Sequence, residues 1–268
     1  MSTPEAENPP NGDEVFVNEA LVATVGDDHV ATIELSQPPN NFFSLDQIGG
    51  VADALALLDR DDRCRAAVLR AAGKHFCAGA DFSGGGRDYT TDDLYAAAVR
   101  IFRTETPVVA AIQGAAIGGG LGLALSADFR VAAPEARFSA NFARLGFHHG
   151  FGLSVTLPRL VGEQAAADLL LTGRRVKGDE AVELGLADRL VDLDALRGVA
   201  HSMAREIAIS APLAVRSIRK TLRGDLADRV EAATAHEGSE QAWLRDTADF
   251  KEGNRAMAER REPNFRGT

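Results

Sequence analysis

Two small-residue turns constrain this chain more than any other feature: Phe76-Cys77-Ala78-Gly79-Ala80-Asp81 and Ala116-Ile117-Gly118-Gly119-Gly120-Leu121-Gly122. Each ends an apolar, strand-like run, Ala66 to Leu69 before the first and Val108 to Ile112 before the second. The second turn leads straight into an apolar helical segment, Leu121 to Ser126. Such turns leave backbone N–H groups uncovered, and the first N–H groups of a helix have no partner within it. Amides from two turns can converge on one oxygen and stabilise negative charge there without any side chain, which is the anatomy of an oxyanion hole. The plainer reading is that the glycines only turn the chain tightly and let a helix pack close to a sheet. A dinucleotide fingerprint does not fit, because after Gly118 and Gly120 the third small position falls on Leu123 and the segment lies deep in the chain.

At 268 residues and 45% hydrophobic content, the chain is long enough to bury one sizeable core plus a smaller appended region. A formal net charge of -10 and a pI near 5.1 argue against nucleic acid or an anionic membrane as the main partner, while a local basic pocket stays open. The cysteines, Cys64 and Cys77, have no metal-ligand spacing and no secretory leader precedes them. They read as reduced thiols of a cytoplasmic protein, with no metal site expected. Residues 1–13, rich in Pro, Glu and Asn, read as a disordered tail. No apolar run approaches the roughly 20 residues needed to cross a bilayer, so the expectation is a soluble protein.

Leu21 to Val25 and Val30 to Leu35 alternate as two strands around Gly26-Asp27-Asp28, a hairpin. Leu45, Ile48, Val51, Leu55 and Leu58 recur at helical spacing, and a strand follows at Ala66 to Leu69. The alternation continues with a helix at Asp92 to Phe102, a strand at Val108 to Gln113, a helix at Gly119 to Ser126, and strands at Phe129 to Ala132 and Arg137 to Ser139. That order implies an α/β core with mostly parallel pairing. Beyond Gly162 the signal is helical: Gly162 to Leu171, Lys177 to Leu184, Ala195 to Ser210, Pro212 to Leu222, and one long stretch from Leu226 to Met257. These late helices carry apolar positions with no sheet to cover, a pattern suited to contact with another subunit.

Several stretches in this order resemble the crotonase superfamily, the enoyl-CoA hydratase/isomerase family: the two turns, Pro107 to Gly114, Ala127-Asp128-Phe129-Arg130-Val131-Ala132, Leu171 to Val176, Glu180 to Asp188, Pro212 to Val215 and Asp249 to Gly253. The resemblance implies a crotonase-like spiral of ββα units over residues 14–200 and a C-terminal α-helical oligomerisation region over 201–268, building a homotrimer or a dimer of trimers. It implies an acyl-CoA thioester as partner, with coenzyme A part of the substrate and no separate cofactor. By the same resemblance the N–H groups of Ala80 and Gly119 hold the thioester oxygen, Ala78, Gly118 and Phe142 line the substrate site, and Lys74 approaches the coenzyme's phosphates.

The chain also departs from the family pattern. Hydratases of the family use two glutamates, and those positions correspond to Gly122 and Phe142; some isomerases place a carboxylate at the position of Gly150. Neither glycine nor phenylalanine moves a proton. The same loop offers His148 and His149, candidate bases near neutral pH, or else loop histidines without a chemical role. Asp81, beside the oxyanion turn, and Arg87 and Asp88, in or beside the glycine-rich Ser83 to Arg87 loop, are the weaker polar candidates. Three readings therefore stand: an enzyme of the family working through an enolate, by isomerisation or C–C cleavage rather than standard hydration; a thioester hydrolase; or an acyl-CoA binding or carrier protein without catalysis.

Overall fold

A parallel strand covered on both faces has no use for alternation, and strands β4 (Ala66–Ala71) and β5 (Val108–Ile112) are accordingly apolar throughout or nearly so. The computed structural model describes residues 12–81 and 89–268; the Ser83 to Arg87 loop, Asp88 and residues 1–11 lie outside the described residues. The hairpin expected from the sequence is present as β2 (Leu21–Val25) and β3 (Val30–Leu35), paired antiparallel. A strand not expected, β1 (Asp13–Val17), precedes it and pairs antiparallel with β2, Asp13 facing Val25. The expected tail thus ends a residue too late, because its polar composition hid a strand held by its neighbour's backbone.

Beyond β3 the pairing turns parallel. Helix α1 (Leu45–Leu58) leads to β4, and α2 (Thr91–Phe102) leads to β5. Gly114, at φ +57°, then turns the chain into β6 (Ala115–Ile117). Helix α3 (Gly119–Ser126) follows, then β7 (Phe129–Ala132) and β8 (Arg137–Ser139). With β9 (Val176–Lys177) and β10 (Arg189–Leu190), the described residues form a seven-stranded sheet in the order β1-β2-β3-β4-β5-β7-β10 and a small sheet β6-β8-β9.

Successive residues of the central strands face opposite ways and feed two cores. Ala67, Leu69, Ala110 and Ile112 join the larger core with α1, α2 and α3. Ala66, Val68, Val109 and Ala111 pack instead under α7 (Leu193–Ala208), through Leu196, Ala200, Met203 and Ala204, spaced as one helical face. Helix α7 spans the expected division between residues 200 and 201, so the chain passes from core to helical region inside a helix that the sheet itself needs.

Buried charges fix the ends of the sheet. Arg130 on β7 is 2% exposed; its Nε donates to Leu186 O at 2.8 Å, Nη1 to Ala127 O at 3.0 Å and Nη2 to Asp188 Oδ2 at 3.1 Å. Asp128 accepts from Val108 N at 2.9 Å and from Arg219 and Arg223 on α8 (Pro212–Arg223), clamping that helix to the sheet. The charged pair inside the Ala127 to Ala132 stretch is therefore a structural tie.

The late helices differ from expectation in two respects. Helix α4 (Leu153–Val161) forms just after the glycines that masked it, and is followed by α5 (Glu163–Thr172) and α6 (Gly178–Glu183). The long stretch from Leu226 to Met257 is two helices, α9 (Leu226–Leu244) and α10 (Ala248–Glu259), because Thr247 caps a new start: its Oγ1 accepts from Phe250 N at 3.1 Å. The exposed apolar surface also lies elsewhere. Leu213 and Leu222 of α8 are 79% and 72% exposed, whereas α9 and α10 leave only Trp243 and Met257 among large apolar side chains substantially exposed. Among the described residues no helix is long and apolar enough to cross a membrane.

Candidate active site

The two signature turns are joined by backbone. Cys77 forms a parallel bridge with Ala116 of β6; Cys77 N donates to Ala115 O at 2.9 Å and Ile117 N to Cys77 O at 3.1 Å. Only glycine allows α3 to start so close: a Cβ on Gly120 would lie 2.4 Å from Cys77 O. Cys77 itself is fully buried, and burial pushes its thiol up to about 12, so it is a packing residue and not a nucleophile.

Hydrogen bonding then covers some amides of each turn and leaves others without a backbone acceptor among the described residues, Gly79 and Ala80 in the first turn and Gly119, Gly120 and Leu121 in the second. Ala78 N donates to Asn40 O at 3.0 Å and Gly118 N to Ser139 O at 2.8 Å. The N–H groups of Ala80 and of Gly119, the first residue of α3, have no acceptor among the described residues. Both residues line one cavity of about 1540 Å³. Two unspent amides on one cavity, one at the positive end of a helix, can stabilise an oxyanion.

Part of the cavity wall is aromatic, with Phe43, Phe142, Phe147, Phe151 and Phe250 among the lining residues. Phe43 packs edge-on to Phe151 at 5.5 Å, and Phe147 joins Phe142 to Phe250. Arg137, Arg144, Arg174, Arg175, Arg245 and Arg260 also line it, supplying the local positive charge that the overall -10 conceals. The family resemblance looks for carboxylates at three positions, and each is occupied by other matter. Phe142 carries its own ring, 3.5 Å from where a Cβ on Gly118 would stand. A Cβ on Gly122 would lie 2.6 Å from Cβ, Cγ and Cδ1 of Phe151, and one on Gly150 would lie 1.7 Å from the Tyr95 hydroxyl.

Of the residues singled out from the sequence, Ala78, Ala80, Gly118, Gly119, Phe142 and Asp81 line the cavity, whereas Lys74 is an exposed residue beside it and His75 takes the lining position. The His75 Nδ1 accepts from Ala115 N at 3.1 Å, and burial, with Lys74 and Arg137 nearby, lowers its pKa, favouring a neutral ring.

His148 and His149 are not among the lining residues. Their rings stack at 4.1 Å; His149 Nε2 meets Ser154 Oγ at 2.8 Å, and Ser154 Oγ donates to the fully buried Glu237 carboxylate at 2.7 Å. Glu237 is further occupied by the N–H groups of Gly152 and Ser154. The pair thus pins α9 to the loop before α4, an arrangement that supports the reading of loop histidines over that of a base. Burial, then His148 and His236, push His149 down to about 4. An unfolded histidine titrates near 6.5, so as pH falls from about 6.5 to about 4 the unfolded chain takes up a proton that the native chain refuses, and stability should drop by up to about 3 kcal/mol. His149→Gln is expected to flatten that segment of a stability–pH curve measured by urea unfolding; an unchanged slope would mean His149 is freely protonated in the native state.

Tyr95, Gln241, Phe43, Phe151 and Phe250 escaped the sequence reading. Tyr95 sits on the apolar face of α2 and reads as core; only the Gly150-Phe151-Gly152 run, a bulky residue between glycines, hinted that something special occupied that loop.

The enoyl-CoA hydratase/isomerase family model matches residues 26–268. The (E)-benzylidenesuccinyl-CoA hydratase of Thauera aromatica is 33% identical over 248 residues, covering 89% of this chain and 96% of the relative. The 1,2-epoxyphenylacetyl-CoA isomerase of Escherichia coli is 30% identical over 249 residues, covering 89% and 95%. The crystal structure of an enoyl-CoA hydratase/isomerase from Pseudoalteromonas atlantica T6c, 32% identical, matches with a TM-score of 0.84 over 92% of this chain and 100% of that one. The mixed α/β architecture is that of these neighbours, and the chain belongs to the enoyl-CoA hydratase/isomerase family of the crotonase superfamily.

Proposed function

We propose that this protein is an acyl-CoA enzyme that holds the thioester carbonyl oxygen with the N–H groups of Ala80 and Gly119 and stabilises an enolate there, in a reaction other than standard hydration. The observation that carries this reading is the pair of unspent amides facing one cavity. An enolate of a thioester places its charge on that oxygen, and each such donor contributes roughly 3 kcal/mol to the transition state. Gly122 and Phe142, standing where the family pattern has glutamates, leave hydration without its acid and base. Coenzyme A arrives as part of the substrate, its phosphates met by the arginines at the cavity, and no other cofactor is required. The bare Leu213 and Leu222 of α8 suit contact between copies, a trimer or a dimer of trimers.

Filling of the acid positions by Phe142 and Phe151 favours a second reading, a non-catalytic acyl-CoA binder. A thioester hydrolase has no lining carboxylate at these positions to activate water, and ranks below both. Either leading reading predicts binding. Acyl-CoA at about 100 times its dissociation constant stabilises the native state by about 2.7 kcal/mol, a rise in melting temperature of roughly 5 to 10 °C, with free fatty acid doing much less. A thermal-shift panel of CoA thioesters tests this, and no response to any chain length would overturn both readings. Loss of the α-proton signal on incubation in deuterium oxide then separates enzyme from binder.

A further inference from the structure

Among the phenyl rings of the cavity two polar side chains meet, Tyr95 and Gln241. Tyr95, on α2, is 8% exposed and Gln241, on α9, is 2% exposed; both line the cavity. The Tyr95 hydroxyl donates to Gln241 Oε1 at 3.1 Å. Gln241 Nε2 donates to His148 O at 2.9 Å, and Arg245 approaches Gln241 Oε1 at 3.5 Å. Burial, then the nearby Glu237, raise the phenol's pKa, so it stands as a neutral hydroxyl and not as a phenolate.

Counting donors and acceptors leaves a defined remainder. A phenolic oxygen that donates its proton can still accept; a side-chain amide nitrogen has two hydrogens, of which His148 O takes one. Among the described residues the Tyr95 oxygen has no hydrogen-bond donor and the second hydrogen of Gln241 Nε2 has no acceptor. Both atoms lie over Gly150, where a Cβ would be 1.7 Å from Tyr95 Oη and 2.8 Å from Gln241 Nε2. Glycine at 150 therefore makes room for the couple. One spare acceptor beside one spare donor matches a hydroxyl group, which both donates and accepts; a plain hydrocarbon would bury both unpaired, at a cost of about 1–3 kcal/mol for each such group.

We propose that Tyr95 and Gln241 form a hydrogen-bonding subsite that selects acyl-CoA thioesters carrying a hydroxyl on an otherwise apolar or aromatic acyl group. This specificity rests on the acyl-CoA reading above, but is tested separately from it. Affinities are measured by isothermal titration for two thioesters of the same carbon skeleton, with and without the hydroxyl, on the full-length protein. Wild type should favour the hydroxylated member by about tenfold, the scale of one or two well-made hydrogen bonds. Tyr95→Phe should bring that ratio to near one. A packing defect alone would weaken both ligands together and keep the ratio, and that outcome overturns the proposal, as does equal binding by wild type across hydroxyl positions on the acyl group. Should Tyr95→Phe fold poorly, Gln241→Met reads the same ratio from the other end of the bond. Failure of wild type to bind either thioester would instead overturn the acyl-CoA reading itself.

Discussion

Hydration of crotonyl-CoA by this protein is expected to run at least about a thousandfold below that of a competent hydratase, since a general acid and a general base each contribute about 10² to 10⁴ and Gly122 and Phe142 stand where the family pattern has them. The deficit follows from what fills the site. At the first position Gly122 has no side chain, and the Phe151 ring lies against its α-carbon. At the second, Phe142 points a phenyl ring toward Gly118, where it can exclude water but cannot orient it. Disappearance of the enoyl thioester's ultraviolet absorbance measures the rate directly. A rate near that of a true hydratase would mean that a carboxylate reaches the acyl β-carbon from elsewhere, Asp81 and Glu262 being lining candidates, and the proposed exclusion of hydration would fall.

The two amide-bearing turns were legible because they are made of backbone. Glycine and alanine after apolar runs announce uncovered amides, so both turns could be read from the local chain, while the choice of Ala80 and Gly119 within them came from the family resemblance. The central strands and α1 were legible for a related reason: their periodicity is a record of what covers them. The rest of the pocket is written in long-range contacts. Tyr95 and Gln241 lie 146 residues apart in sequence and meet only because α2 packs on α9. His148 and His149 show the same dependence on long-range contacts. Their adjacency suggested chemistry, but the residues that use them, Ser154 and Glu237, come from a following helix and from α9, and neither spacing nor composition reveals that Glu237 is fully buried. The start of α10 at Thr247 was missed because an N-cap inside a long polar-apolar stretch looks like one more helical residue until its hydroxyl is seen on Phe250 N.

Putting the glutamates back should not by itself restore hydration, because the obstacle is Phe151. That residue holds φ at +63°, a region costing a non-glycine residue of order 1–3 kcal/mol, and it keeps its place through Phe43 at 5.5 Å and Phe102 at 6.2 Å. In the Gly122→Glu/Phe142→Glu double variant the new Cβ at 122 would stand 2.6 Å from the Phe151 side chain, so the carboxylate cannot take up its position, and turnover should stay within about tenfold of wild type. Adding Phe151→Gly removes the ring and suits the left-handed backbone. The triple variant should then hydrate crotonyl-CoA at least about a hundredfold faster than the double, one recovered general acid–base contribution. Loss of a buried phenyl costs about 3–5 kcal/mol, offset in part by relief of backbone strain, so its melting temperature should fall by roughly 5 to 15 °C. If the double variant already hydrates at the higher rate, Phe151 is not what closes the site. If the triple variant folds, binds acyl-CoA and still gains nothing, the correspondence of Gly122 and Phe142 to the hydratase carboxylates is wrong, and the acid and base must be sought at other walls of the same cavity.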